Sequence, residues 1–382
     1  MGDKNVKRMR GIQRAACLLL LALAAFHLNA EVRFTGENPR QDERLFRQAL
    51  TLIKRAEPGN RVLSLEEMEE VVNLEFVPNL SILGHNYSGI YEYFPDGRDP
   101  IIRLKAPGKG RNRRDVAATL AHEGKHFLNF TAFPFSAVED MLPPSLNLIF
   151  QVIDEGAAFY NEIKTAERSF RYRFKRAPAV KPSFEHVYPE SAYYIGGEFI
   201  TRMGIDLKKW MRRQSEYRTL SSSDFEKEFK KEFFKLFLGC ILFPTRALDI
   251  PCYNQTFILG GEQPPDTIEL PSWANPEFAY LREIDVRNFL IRRALEACFG
   301  DIAVSPDECG YIFNETLAKI DAYRENQNLP TISQIEHAYH EYAGNADNPQ
   351  WLKEKSISQV TIQPPYLQNS KELIDTIMDG HP

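Results

Sequence analysis

Histidine is scarce in this chain, with eight residues in 382, and tryptophan scarcer still, with three. Cysteine occurs five times and never in C-x-x-C spacing, which argues against a thiolate-based zinc site. The apolar run Ala15 to Phe26 holds only about a dozen residues, short of the roughly 20 that a membrane span needs. A second apolar run, Phe233 to Phe243, is short and interrupted by Lys235, so it reads as a core helix. The chain has no internal repeat and no low-complexity tail, which argues against solenoid and fibrous architectures.

What is present begins at the N-terminus. Lys4, Lys7, Arg8, Arg10 and Arg14 precede the apolar run, and Leu28-Asn29-Ala30 follows it. A basic start, a short apolar stretch and a small-residue end describe a secretory signal peptide over residues 1–30, cleaved after Ala30. The expected location is therefore periplasmic or extracellular. Its removal takes five basic residues and one acid from the 47 and 52 of the whole chain. The mature chain keeps 42 and 51, a formal charge of −9, which argues against nucleic-acid binding. Four cysteines remain, and an even number in an exported chain predicts two disulfides; the short pairings Cys240–Cys252 and Cys298–Cys309 are preferred.

Two of the eight histidines stand in His122-Glu123-Gly124-Lys125-His126. Composition alone would produce H-E-x-x-H in about one such chain in a hundred. On a helix, residues i and i+4 share a face, so both imidazoles can reach one metal ion. Glu123 then falls beside the place of an attacking water, which supplies the base that peptide hydrolysis requires. The flanking sequence Arg113 to Phe130 reads as that helix, with Asn112 as N-cap and Asp115 in its first turn. Its apolar face carries Val116, Ala117, Leu120, Ala121, Phe127 and Leu128. A narrow polar stripe carries Asp115, Thr119, His122, His126 and Asn129, and its lack of Lys and Glu fits a buried polar cleft.

A catalytic zinc ion takes three protein ligands. The residues offer Glu155, Asp154, Glu139, Asp140 and His186 for the third place. Pro143-Pro144 opens a long helix, Ser145 to Phe174, that carries Asp154-Glu155-Gly156-Ala157-Ala158. The three small residues after Glu155 would let two helices approach closely. The apolar neighbours of Glu155 make an idle carboxylate there costly.

With His122, Glu123, His126 and Glu155 in these settings, the chain resembles the gluzincins, zinc metallopeptidases with H-E-x-x-H and a downstream glutamate. Ala192-Tyr193-Tyr194-Ile195-Gly196 is similar to a segment of a following helix in several of these families. The resemblance covers about residues 75 to 205. It implies one zinc ion held by His122, His126 and Glu155, with Glu123 as general base and Tyr193 or Tyr194 as oxyanion donor. Peptides or proteins are then the substrate. The gap before Glu155 is longer than in many gluzincins. Phe159 stands where thermolysin-like members carry an acid that orients a histidine, so Asp154, Glu162 or a backbone carbonyl must take that part. The alternative function is a zincin-fold binding or scaffold protein without hydrolytic activity.

The expected fold class is α+β. A zincin-like core over residues 31–205 would place a small sheet before the metal helix and the Glu-bearing helix. A mostly helical subdomain would follow over residues 206–382. Residues 31 to 75 read as helical, including Leu65 to Val71. Strands are expected at Leu80–Leu83, Gly89–Phe94 and Ile101–Leu104, and later helices at Asp224–Cys240, Glu283–Phe299, Tyr311–Asn326 and Ser333–Ala343.

Overall fold

Alternating apolar residues build the sheet that precedes the metal-motif helix. In the computed structural model, β1 (Val32–Phe34), β2 (Val72–Val77), β5 (Gly89–Glu92) and β6 (Ile101–Lys105) form one four-stranded sheet in the order β1-β2-β6-β5. A short antiparallel pair, β3 (Ser81–Ile82) and β4 (His85–Asn86), stands apart from it. The described residues are 32–67, 70–82, 85–94, 96–108, 111–168, 176–183, 197–239, 265–302, 304–365 and 370–379. The expected signal peptide, Tyr193, Tyr194, His186, Cys240 and Cys252 lie outside them.

The chain divides into two compact units, residues 1–124 and 125–382, and the division falls inside one continuous helix. In the first unit, β2 runs parallel to both β1 and β6, whereas β5 lies antiparallel to β6 at the edge, with Gly89 opposite Leu104. Strand β2 buries Val72, Leu74 and Phe76 and turns Asn73, Glu75 and Val77 outward, the period-two pattern of a strand with one core face. Helix α1 (Pro39–Ala56) buries Phe46, Ala49, Ile53 and Ala56 along one stripe. Asn38 caps it, accepting from Gln41 N at 3.3 Å, with Pro39 in the first helical position.

The helical reading of residues 31 to 75 therefore holds only for α1. Leu65 belongs to a 3-10 turn, Arg61–Glu67, and Val72 starts a strand. The acidic run had the composition of a helix, but the β-branched and aromatic residues after it pair with β1 and β6. Tertiary pairing decided.

In the second unit, helix α3 (Pro144–Ala166) is the centre. It buries residues on every side, from Leu146 and Ile149 to Ala157, Tyr160 and Ile163. A helix apolar all round belongs inside other helices. Around it pack α4 (Gly197–Met211), α5 (Ser222–Leu238), α6 (Ile284–Phe299), α7 (Pro306–Asn326) and α8 (Ile332–Gly344). These agree with the expected helices to within a turn or so; the first turn of α7 starts at Pro306, before Tyr311. Capping boxes at Ser305–Glu308 and Thr331–Gln334 set the starts of α7 and α8. Strands β7 (Thr267–Leu270) and β8 (Gln359–Ile362) pair in parallel. The class is mixed α+β. Among the described residues, no helix is long and apolar enough to cross a membrane.

Gly156 has a different neighbour from the one its sequence suggests. A Cβ there would stand 3.0 Å from Phe237 and 3.1 Å from Phe234, both on α5. The small residue after Glu155 thus admits two phenylalanines of α5 to the surface of α3. Each such ring contributes about 1.5–3 kcal/mol by leaving water.

The Cys298–Cys309 disulfide is not formed. Both residues are separate, buried thiols, one in the last turn of α6 and the other in the first turn of α7. Their surroundings differ. Burial pushes the Cys298 thiol up strongly, and it feels Asp154 and Lys125. Burial pushes Cys309 up to about 11, and it feels Arg292, Glu308 and Glu296. The two sulfurs face different walls, and neither favours the thiolate that disulfide chemistry uses.

Candidate metal centre

Helix α2 (Arg113–Ala132) contains the H-E-x-x-H motif, and its first turn is fixed as expected. Asn112 Oδ1 accepts from Arg114 N at 2.8 Å and Asp115 N at 3.2 Å. Asp115 Oδ2 accepts in return from Asn112 N at 3.1 Å. Val116, Ala117, Leu120, Ala121, Phe127 and Leu128 are all buried. Thr119, His122, Glu123, His126 and Asn129 are buried as well, none more than 8 % exposed. The polar stripe is therefore interior, as its shortage of lysine and glutamate implies. Burial of so many polar groups is costly unless each is hydrogen-bonded or coordinated.

One donor atom each from His122, Glu123 and His126 falls within 4.8 Å of the others. This buried group is able to hold a metal ion. It contains neither Glu139, Asp140 nor Glu155. Glu155 nonetheless stands close to one member, with Oε2 3.8 Å from His126 Nε2. Ligands about 2.0–2.2 Å from a tetrahedral zinc ion are separated by a little over 3 Å, so a small adjustment would bring the two onto one ion. The alternatives at Glu139 and Asp140 sit in the connection between α2 and α3, where the Asp140 carbonyl accepts from Trp273 N at 3.0 Å.

The orienting partner of a histidine is Asp154, one of three candidates that the sequence left open. Its Oδ2 lies 2.7 Å from His126 Nδ1, and its Oδ1 accepts from Asn129 Nδ2 at 2.7 Å. With a carboxylate accepting at Nδ1, the proton of neutral His126 resides there. The Nε2 lone pair then points away as a ligand. Asn129 holds the carboxylate from the other side, so the rotamer of Asp154 is set twice. Glu162, the other named acid, instead accepts from Thr201 Oγ1 at 3.0 Å.

Glycine explains how the sheet comes so close to Glu123. At Gly89, the first residue of β5, a Cβ would lie 2.5 Å from Thr119 Cγ2 and 2.6 Å from both Cγ and Oε1 of Glu123. Only a residue without a side chain admits the edge strand to this contact. Gly124 plays a similar part on the opposite side, where a Cβ would stand 3.1 Å from Val62 and 3.3 Å from Leu65.

Sequence reasoning did not single out Gly89 or the Arg111–Thr119 contact, in which Arg111 Nη2 donates to Thr119 Oγ1 at 2.9 Å. The basic run before α2 signalled positive charge near the helix but not which residue reaches it.

Comparison with known proteins finds no matching family model, no matching curated protein and no matching solved structure.

Proposed function

We propose that this protein is an exported zinc-dependent peptidase of gluzincin type, with His122, His126 and Glu155 as metal ligands. The observation that carries this reading is the buried His122–Glu123–His126 group, with His126 Nδ1 bound to Asp154 and Nε2 left toward Glu155. The donor set suits zinc: imidazole nitrogen and a single carboxylate bind it well, whereas magnesium and calcium take shells of oxygen. Zinc bound there would polarise the scissile carbonyl and bring the pKa of a coordinated water toward about 7.

Glu123 is the general base in this reading. It takes the proton of the attacking water and passes it to the leaving amine. Its place against Gly89 sets it beside the edge of the sheet. Strand β5 pairs with β6 on one side, so its other edge is able to receive an extended peptide by backbone hydrogen bonds. Tyr193 or Tyr194 would donate to the oxyanion. Residues 31–205 would form the catalytic core and residues 206–382 the accessory part.

Glu123→Gln tests this reading against its closest competitor, in which Glu123 itself is the third metal ligand. We expect the variant to keep about one zinc per chain and to lose about 10²–10⁴ in peptide hydrolysis. Glu155→Ala should lose zinc. Zinc loss in Glu123→Gln with retention in Glu155→Ala would move the ligand role to Glu123. Retained zinc without cleavage of a broad peptide library by the parent protein would favour a binding role over catalysis.

A further inference from the structure

The stripe of α2 that carries Glu123 continues one turn toward the helix start, where it meets a basic residue. Thr119 lies four residues before Glu123, about 5.4 Å along the axis, and both side chains would touch a Cβ at Gly89. The Thr119 hydroxyl donates to the Asp115 carbonyl at 3.0 Å, so it meets Arg111 with a lone pair. Arg111 Nη2 donates to that oxygen at 2.9 Å. The backbone of Arg111 is fixed too, by a reciprocal pair of hydrogen bonds with Gly108, each 3.1 Å. The guanidinium is thus held in one place beside the edge strand before any ligand arrives.

The other arginines of this basic run are placed differently. Arg103 binds Glu75 and Glu92 across the sheet, while Arg113 and Arg114 are exposed at the start of α2. Arg111 is half-buried and tied to the stripe.

We propose that Arg111 determines specificity, selecting peptides that carry a carboxylate one or two residues from the bond cleaved. This rests on the peptidase reading above. An extended chain along β5 advances about 3.3 Å per residue, so a group over Thr119 is one to two residues from a carbonyl beside Glu123. A planar guanidinium offers paired N–H groups that match a carboxylate, and Thr119 occupies only one nitrogen. The mature chain carries a charge of −9, so an acidic peptide is accepted only where a local cation offsets that field. The carboxylate can come from an Asp or Glu side chain or from the peptide's own C-terminus.

The test uses the mature protein as zinc-loaded Glu123→Gln, which binds without turnover. Three fluorescein-labelled peptide pools serve as probes: Ala/Gln amidated at the C-terminus, Ala/Glu amidated, and Ala/Gln with a free C-terminus. Fluorescence anisotropy should show one carboxylate pool binding at least about tenfold tighter than the neutral pool. Adding Arg111→Gln should erase that advantage, and adding Arg111→Lys should restore part of it. Preference for the Ala/Glu pool assigns the side-chain carboxylate; preference for the free-end pool assigns the terminus. Equal affinities for all three pools, no binding of any pool, or a preference that survives Arg111→Gln would overturn the proposal. Zinc content and cleavage by the parent protein are read separately. A failed pool comparison with zinc and cleavage intact leaves the peptidase reading standing, whereas absent zinc or cleavage defeats that reading while the pools still decide on Arg111.

Discussion

Around Glu226 and along the interior stripe of α2, helices carry ionisable side chains out of water, but in different company. Glu226 on α5 receives the Tyr160 hydroxyl, with Lys164 Nζ at 3.5 Å and Lys208 Nζ at 3.8 Å. Lys208, itself buried, also meets Glu167 at 3.3 Å, and Arg212 closes on Glu167 at 2.7 Å. Signs alternate from one member to the next. Burial works to raise the Glu226 carboxyl, yet Lys208, Tyr160 and Lys164 outweigh it and hold the group below its ordinary range. On α2 the gathered atoms are imidazole nitrogens and carboxylate oxygens, and Asp154 fixes which nitrogen of His126 faces outward. A network of alternating charge is complete in itself and serves the fold; a convergence of nitrogen and oxygen donors is suited to a cation from solution.

The sharpest way to break this contrast is Asp154→Asn. The amide cannot hold the His126 tautomer as a carboxylate does, so metal affinity should fall about 10–100-fold, read by zinc competition with a chromophoric chelator. Unchanged affinity would make Asp154 a packing residue and weaken the distinction.

Removing a member of the self-contained network should instead cost stability. Lys208→Met leaves Glu226 and Glu167 short of a cation and should destabilise the protein by about 2 kcal/mol. That is less than a fully buried pair would cost, because Lys164 and solvent still reach Glu226. Urea denaturation measures it, and zinc affinity should not move. A loss of zinc in Lys208→Met would show that the two regions are energetically coupled.

Gly89→Ala tests the close approach of the sheet to the general base. The new methyl would displace Thr119 and Glu123, so hydrolysis should fall about tenfold while zinc is retained. Parent-level rates would show that Glu123 has room to spare.

The smallest effect expected is on pH dependence. Burial lowers the His340 pKa to about 4, with Arg282 and His337 adding repulsion. The folded protein thus prefers neutral His340. The stability this contributes is complete above the unfolded value near 6.5 and is lost as pH falls from there toward 4. His340→Gln should flatten the melting-temperature profile over that window relative to the parent. An identical slope would assign the acid sensitivity elsewhere.

How far the sequence could be read depended on the range of the interaction. The stripe of α2 was legible, because 3.6-residue periodicity and the Asn112 cap are local, and its burial followed from the residue types on it. Strands β5 and β6 and the later helices were legible for the same reason. Residues 65 to 77 were not: a helix-forming composition gave way to pairing with β1 and β6, partners about 30 to 40 positions away. The Cys298–Cys309 pairing rested on proximity in sequence, whereas each thiol turned to a different wall.

By itself the sequence determined the donors. It put His122, Glu123 and His126 on one side of one helix, since the backbone geometry of a helix fixes where residues i, i+1 and i+4 point. Tertiary structure decided what surrounds them. Asp154 became the partner of His126 across 28 positions, Gly89 brought the sheet edge to Glu123 across 34, and Arg111 was chosen from a basic run by its contact with Thr119. None of these has a periodic signature, because each depends on which elements meet in space, and packing of the whole chain settles that.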